Sequence, residues 1–185
     1  MTKLFKLTTH ELAAVVRKEY DKLRVVAEQD GIYRSLDKYI FFEENVPNVS
    51  INGLYLFADN AGYHYVSIDE RGNESHKITD DIFEVCYWVY NSQTSLMSIK
   101  FAEKNPSDSR VDHRRLMFKK QLELLGLISE NYKKRGEIDI DEILKEAPYD
   151  DFASIRVKLF NKYRDEGVPE DEAWELACEA YPLPK

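Results

Sequence analysis

Between Gly62 and Glu74 the chain reads GYHYVSIDERGNE, placing a histidine, two tyrosines, three carboxylates and an arginine in one short run. An imidazole beside a carboxylate is the arrangement of a general base with its orienting group, so His64 with Asp69 or Glu70 is the alternative that would make this a small hydrolase. Strand alternation argues otherwise. In an extended run His64, Val66 and Ile68 share one face, while Tyr63, Tyr65, Ser67 and Asp69 share the other. His64 then lies among branched apolar side chains, and a packed, hydrogen-bonded histidine is expected. Asp69, Glu70 and Arg71 approach a turn, where charge is ordinary.

Other candidate chemistry is sparse. The four histidines, His10, His64, His76 and His113, show no paired spacing such as HxxxH or HExxH, so no metal is expected. There is no GxSxG elbow, phosphate loop or dinucleotide fingerprint, and no cofactor is expected. Cys86 sits inside an apolar helical pattern, which makes a thiol inert, and Cys178 is far from it in sequence. Two buried free thiols in a reducing, cytoplasmic setting are the expectation. The pairs Asp80-Asp81 and Asp150-Asp151 stand at helix starts, where carboxylates cap and complement the dipole.

A basic strip runs through Arg110, Arg114, Arg115, Lys119 and Lys120, followed by Lys133, Lys134 and Arg135. It supports a further alternative, a general adaptor or nucleic-acid module. On a helix Asp112 and Arg115, three apart, can pair, and Arg114 points partly inward, so a structural role is favoured. The overall charge of −8 also has the wrong sign for phosphate neutralisation. Its placement is uneven. From Glu137 onward there are 14 acidic and six basic residues, while the preceding part balances to zero. An acidic face of this kind aids solubility or attracts a basic partner.

The elements that must position these residues follow from periodicity. Thr8 with Glu11 reads as a capping box, and Leu12, Val16, Tyr20, Leu23 and Ala27 continue a helix over about Thr9 to Asp30, stopped by Gly31. From Tyr39 to Ile78 the segments KYIFF, GLYLFAD, GYHYVSID and ESHKI predict a small antiparallel sheet of three to four strands, with breaks at Pro47 and Asn52-Gly53. Hairpin connections are expected at Asp59–Gly62 and Glu70–Asn73. After Thr79-Asp80-Asp81 a central, heavily buried helix begins, irregular near Asn91 to Ser95. Pro106 and Ser107 punctuate. Next comes an amphipathic helix in DSRVDHRRLMFKKQLELLGLI, with Val111, Phe118, Leu122 and Leu125 on one face. Asp139 or Asp141 opens another, ending before Pro148. Asp150 or Asp151 starts one carrying Phe152, Ile155, Leu159 and Tyr163. Pro169 opens the last, with Ala173, Trp174, Ala177, Cys178 and Tyr181 on one side. The class is α+β: an N-terminal helix, the small sheet, then a C-terminal run of about five helices. Residues 1–151 are expected to form the α+β domain and 152–185 an acidic helical extension packed on it. No apolar run is long enough for a membrane helix and no secretion signal is read, so no membrane partner is expected.

Four motifs in order resemble the immunity protein 63 family of bacterial polymorphic toxin systems. They are Tyr63-His64-Tyr65-Val66; Glu70-Arg71-Gly72 with Glu74; Thr79, Asp81 and Glu84 leading to Tyr87-Trp88-Val89; and Asp112, Arg114, Arg115, Phe118, Gln121, Leu122, Leu124 and Leu125. The likeness covers about Gly53 to Asp151, with Val85 and Cys86 where the pattern has leucine. The resemblance implies an α+β, non-enzymatic protein, made beside a toxin gene, that binds the cognate toxin domain and blocks it; no direct nucleic-acid contact is expected, on the ground of the charge above. Specificity requires surfaces that differ between relatives, so the motif residues Trp88, Phe118 and Leu122 are expected in the core. Glu70, Arg71, Asp112, Arg114 and Arg115 are expected to form a polar network joining the sheet turn to the helix. Candidate contact residues are Tyr63, Tyr65, Asp69, Glu70, Arg71, Asp112, Arg114 and Arg115, with the exposed strand tyrosines and the acidic C-terminal helices as competing surfaces.

Overall fold

The computed structural model describes residues 6–43, 52–106 and 110–184. The breaks expected at Pro47 and Ser107 lie outside the described residues. Helix α1 (Thr9–Tyr20) opens with the capping box: Thr8 Oγ1 accepts from the Glu11 N–H, and the Glu11 carboxylate accepts from the Thr8 N–H at 2.8 Å. Leu12, Ala13, Val16 and Tyr20 face the core. The helix does not run unbroken to Asp30. It tightens into a 3-10 turn at Asp21–Leu23 and resumes as α2 (Arg24–Gln29). That turn keeps Leu23 and Ala27 buried alongside Tyr20. Gly31, at φ +66°, ends the run.

A single helical turn, α3 (Leu36–Tyr39), leads into β1 (Ile40–Phe41). Then follow β2 (Gly53–Ala58), β3 (Tyr63–Ile68) and β4 (Glu74–Thr79), in the order β1-β2-β3-β4. The sheet is mixed and not purely antiparallel, because β1 pairs parallel with β2. The two are joined by a connection far longer than a hairpin, which frees β1 from antiparallel pairing. The two hairpins form as expected, with Tyr55 opposite Val66 and Val66 opposite His76. At the first of them a Cβ on Gly62 would lie 2.7 Å from the Thr79 carbonyl oxygen, so the turn needs glycine. One face of the sheet turns Leu54, Leu56, Tyr63 and Tyr65 toward the helices. The other gathers Phe41, Tyr55, Phe57, Val66 and Ile68 into a second, smaller cluster.

Helix α4 (Ile82–Lys104) is capped by Asp81, whose carboxylate accepts from the Phe83 N–H at 2.8 Å. It is apolar on most sides and sits at the centre of the core. The irregularity expected at Asn91–Ser95 is absent: Thr94 donates its hydroxyl proton to the Tyr90 carbonyl at 2.7 Å and stays inside a continuous helix. Helix α5 (Arg114–Ile128) starts later than the sequence pattern suggested, which leaves Val111 exposed ahead of it. Gln121 donates to Asn91 Oδ1 at 2.7 Å and ties α5 to α4. Trp88, Phe118 and Leu122, expected in the core, are half-buried at its edge.

Helix α6 (Glu130–Glu146) begins well before Asp139. Ser129 caps it, and Gly136 lies inside it because α5 comes close there: a Cβ would stand 2.7 Å from Leu125 Cδ1. Helices α7 (Ala153–Asp165) and α8 (Glu170–Ala180) form a final hairpin. Only Arg156 of α7 is fully buried; Phe152, read as a core position, is exposed.

Candidate partner-binding surface

His64 is 5% exposed, and both of its ring nitrogens are engaged. Nε2 lies 2.8 Å from Asp59 Oδ1 and Nδ1 lies 2.9 Å from His76 Nε2, while the ring stacks on Phe57 with centroids 4.3 Å apart. The bond from His64, together with the N–H groups of Ala61 and Gly62, holds the Asp59 carboxyl below its usual range. The partner of His64 is therefore Asp59, five residues upstream, and not Asp69 or Glu70. Nothing in strand alternation marks Asp59 for this role; the hairpin turn brings it back over the ring.

Asp69 serves the β3–β4 turn. Its carboxylate accepts from the Asn73 side chain and from the backbone N–H groups of Asn73 and Arg71, each at 2.8 Å, and these bonds lower its pKa. Glu70 and Arg71 extend into solvent. Tyr63 and Tyr65 do not form an exposed face. The Tyr63 hydroxyl accepts from the Leu7 N–H at 2.9 Å with the ring buried, and Tyr65 packs edge-on to Trp88. Burial raises the Tyr65 pKa.

Asp112, Arg114 and Arg115 make a separate constellation at the entry to α5. Asp112 precedes the helix, so its carboxylate folds back onto the Arg114 guanidinium (2.7 Å to Nη2) and accepts the N–H groups of Arg114 and Asp150. Burial alone would raise its pKa, but these bonds prevail and hold it at about 2. Arg114 also donates to the carbonyls of Ala147 and Pro148, at 2.8 and 2.7 Å. Arg115 does not pair with Asp112. It forks onto Asp151 at 2.9 and 2.8 Å and lies over the Tyr149 ring. The expected network linking Glu70 and Arg71 to these residues does not form; the α5 entry is stitched instead to the α6–α7 connection.

The missing member of that stitch is Arg156. Its guanidinium, 2% exposed, donates to both Asp150 oxygens and to the carbonyls of Tyr181 and Pro182. The available signal was its place in the apolar stripe, four residues after Phe152 and three before Leu159. The basic strip is largely neutralised: Lys120 sits between Asp30 and Glu123, Lys133 near Glu130 and Glu137, and Arg135 on Asp139. A groove of about 760 Å³ opens beside the constellation, floored by Ile99, Ala102, Leu116, Met117 and Ala153. Among the described residues no helix is long and apolar enough to cross a membrane, and no cluster of three His, Cys, Asp or Glu has metal-holding geometry.

Among the described residues three polar regions stand out: the Asp69 turn, the Asp112–Arg156 stitch beside its groove, and the outward side of the α7–α8 hairpin. No curated protein and no solved structure matches the chain significantly. Residues 59–142, a little under half of the chain, match the model of the family described as Immunity protein 63.

Proposed function

We propose that this protein neutralises a cognate bacterial toxin domain by binding it, through steric occlusion or by plugging its active site, without turnover and without a cofactor. The carrying observation is the family match over residues 59–142. The geometry supports the reading in a second way. The side chains that spell the family motifs are spent on scaffold: Asp81 caps α4, Gln121 ties α5 to α4, and Asp112 and Arg114 fasten the α6–α7 connection. A shared scaffold leaves the outward surface free to differ between relatives, which is what discrimination among related toxins requires. The hydrolase alternative has no comparable support, since His64 holds Asp59 and His76 with its two ring nitrogens.

The test is co-expression of this chain with the C-terminal domain of the polypeptide encoded beside its gene. Restored growth and a co-purifying complex are expected. A toxic neighbour that neither forms a complex with this chain nor loses its toxicity would overturn the proposal.

A further inference from the structure

The α7–α8 hairpin lies wholly outside the segment matched by the family model, and its outward side combines two features. The first is an apolar strip. Val157 is 48% exposed and Trp174 39% exposed, with Phe160 meeting Trp174 edge-on at 5.6 Å between centroids. The second is charge. Helix α8 carries Glu170, Asp171, Glu172, Glu175 and Glu179 and no basic residue. Glu170 is paired with Arg164 at 3.3 Å, but Asp171, Glu172, Glu175 and Glu179 have no counter-ion among the described residues.

Helix energetics explain only part of this charge. Carboxylates in the first turn complement the helix dipole, so Glu170, Asp171 and Glu172 stabilise α8 by themselves. Glu175 and Glu179 stand in the second half, toward the negative end, where a carboxylate is mildly unfavourable and a lysine would serve better. Asp171, Trp174 and Cys178 share one flank of the helix at spacings of three and four, so the indole is bordered by carboxylate. The hairpin that presents this flank is held to the body by the buried Arg156 fork onto Asp150 and by its bonds to the carbonyls of Tyr181 and Pro182, so the surface is fixed in place.

We infer that the Val157–Phe160–Trp174 strip with the α8 carboxylates is the docking surface for a protein partner whose contact face is rich in lysine and arginine. This rests on the immunity reading and names the contact face and chemistry of the toxin domain. An exposed tryptophan at the centre of a contact supplies the anchor. Carboxylates around it steer a cationic partner and add salt dependence to the encounter.

The probe is the C-terminal domain of the polypeptide encoded beside this chain's gene, titrated calorimetrically at low and at about 0.3 M salt. Two variants are compared with the unaltered chain, Trp174→Ala and the double change Glu175→Lys with Glu179→Lys, each checked for retained folding by circular dichroism. Trp174→Ala should weaken binding about 30-fold or more. The double change should weaken it about tenfold at low salt and flatten the salt dependence. Unchanged affinity in both folded variants would overturn this surface while leaving the immunity reading standing. Absence of binding by the unaltered chain would overturn both.

Discussion

Arg156 and Asp150 meet as a two-pronged ion pair, Nη1 to Oδ2 at 2.7 Å and Nη2 to Oδ1 at 3.1 Å, with the arginine buried and the aspartate largely so. The same guanidinium closes onto the carbonyls of Tyr181 and Pro182, so one side chain fastens the start of α7 to the chain after α8. Replacing it leaves a carboxylate and two carbonyls without their donor. Arg156→Ala should cost about 3 kcal/mol in urea unfolding, and hydrogen exchange in α7 and α8 should rise more than in α4.

Asp112 supplies the pH dependence at the neighbouring stitch. Its folded pKa of about 2 lies below the ordinary carboxylate value of 3.8, so its contribution is complete above about pH 4 and is lost as pH falls toward 2. The depression corresponds to about 2 kcal/mol. Urea midpoints measured from pH 6 down to pH 2.5 should fall for the unaltered chain. Asp112→Asn should begin lower and decline less over that range.

His64 holds together the hairpin turn and the edge strand through Asp59 and His76. His64→Ala should lower stability by about 2 kcal/mol, from lost packing on Phe57 and the lost bonds to Asp59 and His76. Protection against the toxin domain should persist at a temperature where the variant stays folded. Loss of protection in a fully folded His64→Ala protein would make this residue part of the working surface.

The two thiols should react at different rates. Burial pushes the Cys86 thiol up to about 11, and it lies in the core of α4, whereas Cys178 is half-buried on α8. With a thiolate-seeking reagent at pH 8, one equivalent should react in the native state, at Cys178 by mass mapping. The second should appear only on unfolding.

Gly136 allows α5 and α6 their close approach. Gly136→Val should destabilise by about 2 kcal/mol, because the added methyls meet Leu125 Cδ1, itself fully buried. A thermal melt of the folded variant checks this; an unchanged midpoint would mean that the two helices can shift apart freely.

Local signals were legible where they act within a few residues. The Thr8–Glu11 box, the two hairpin turns and the cap at Asp81 all form as their spacing suggests. Helix starts were less legible where more than one residue could cap. Ser129 opens α6 ahead of the more conspicuous Asp139, and Asp112 folds back as a partner for Arg114 so that α5 starts after it. The parallel pairing of β1 carried no local mark, since the direction of a strand depends on how the chain returns to it.

What the sequence by itself determined was the α+β class, the buried central helix, the packed state of His64 and the family resemblance, because periodicity, caps and ordered motifs are written in neighbouring residues. Tertiary structure alone decided the partners of the charged groups. Asp59 reaches His64, Arg115 reaches Asp151 and Arg156 reaches Asp150 with the chain end. Long side chains can satisfy their charge at many separations, so the choice is made only when packing brings one carboxylate within reach and buries the pair away from water.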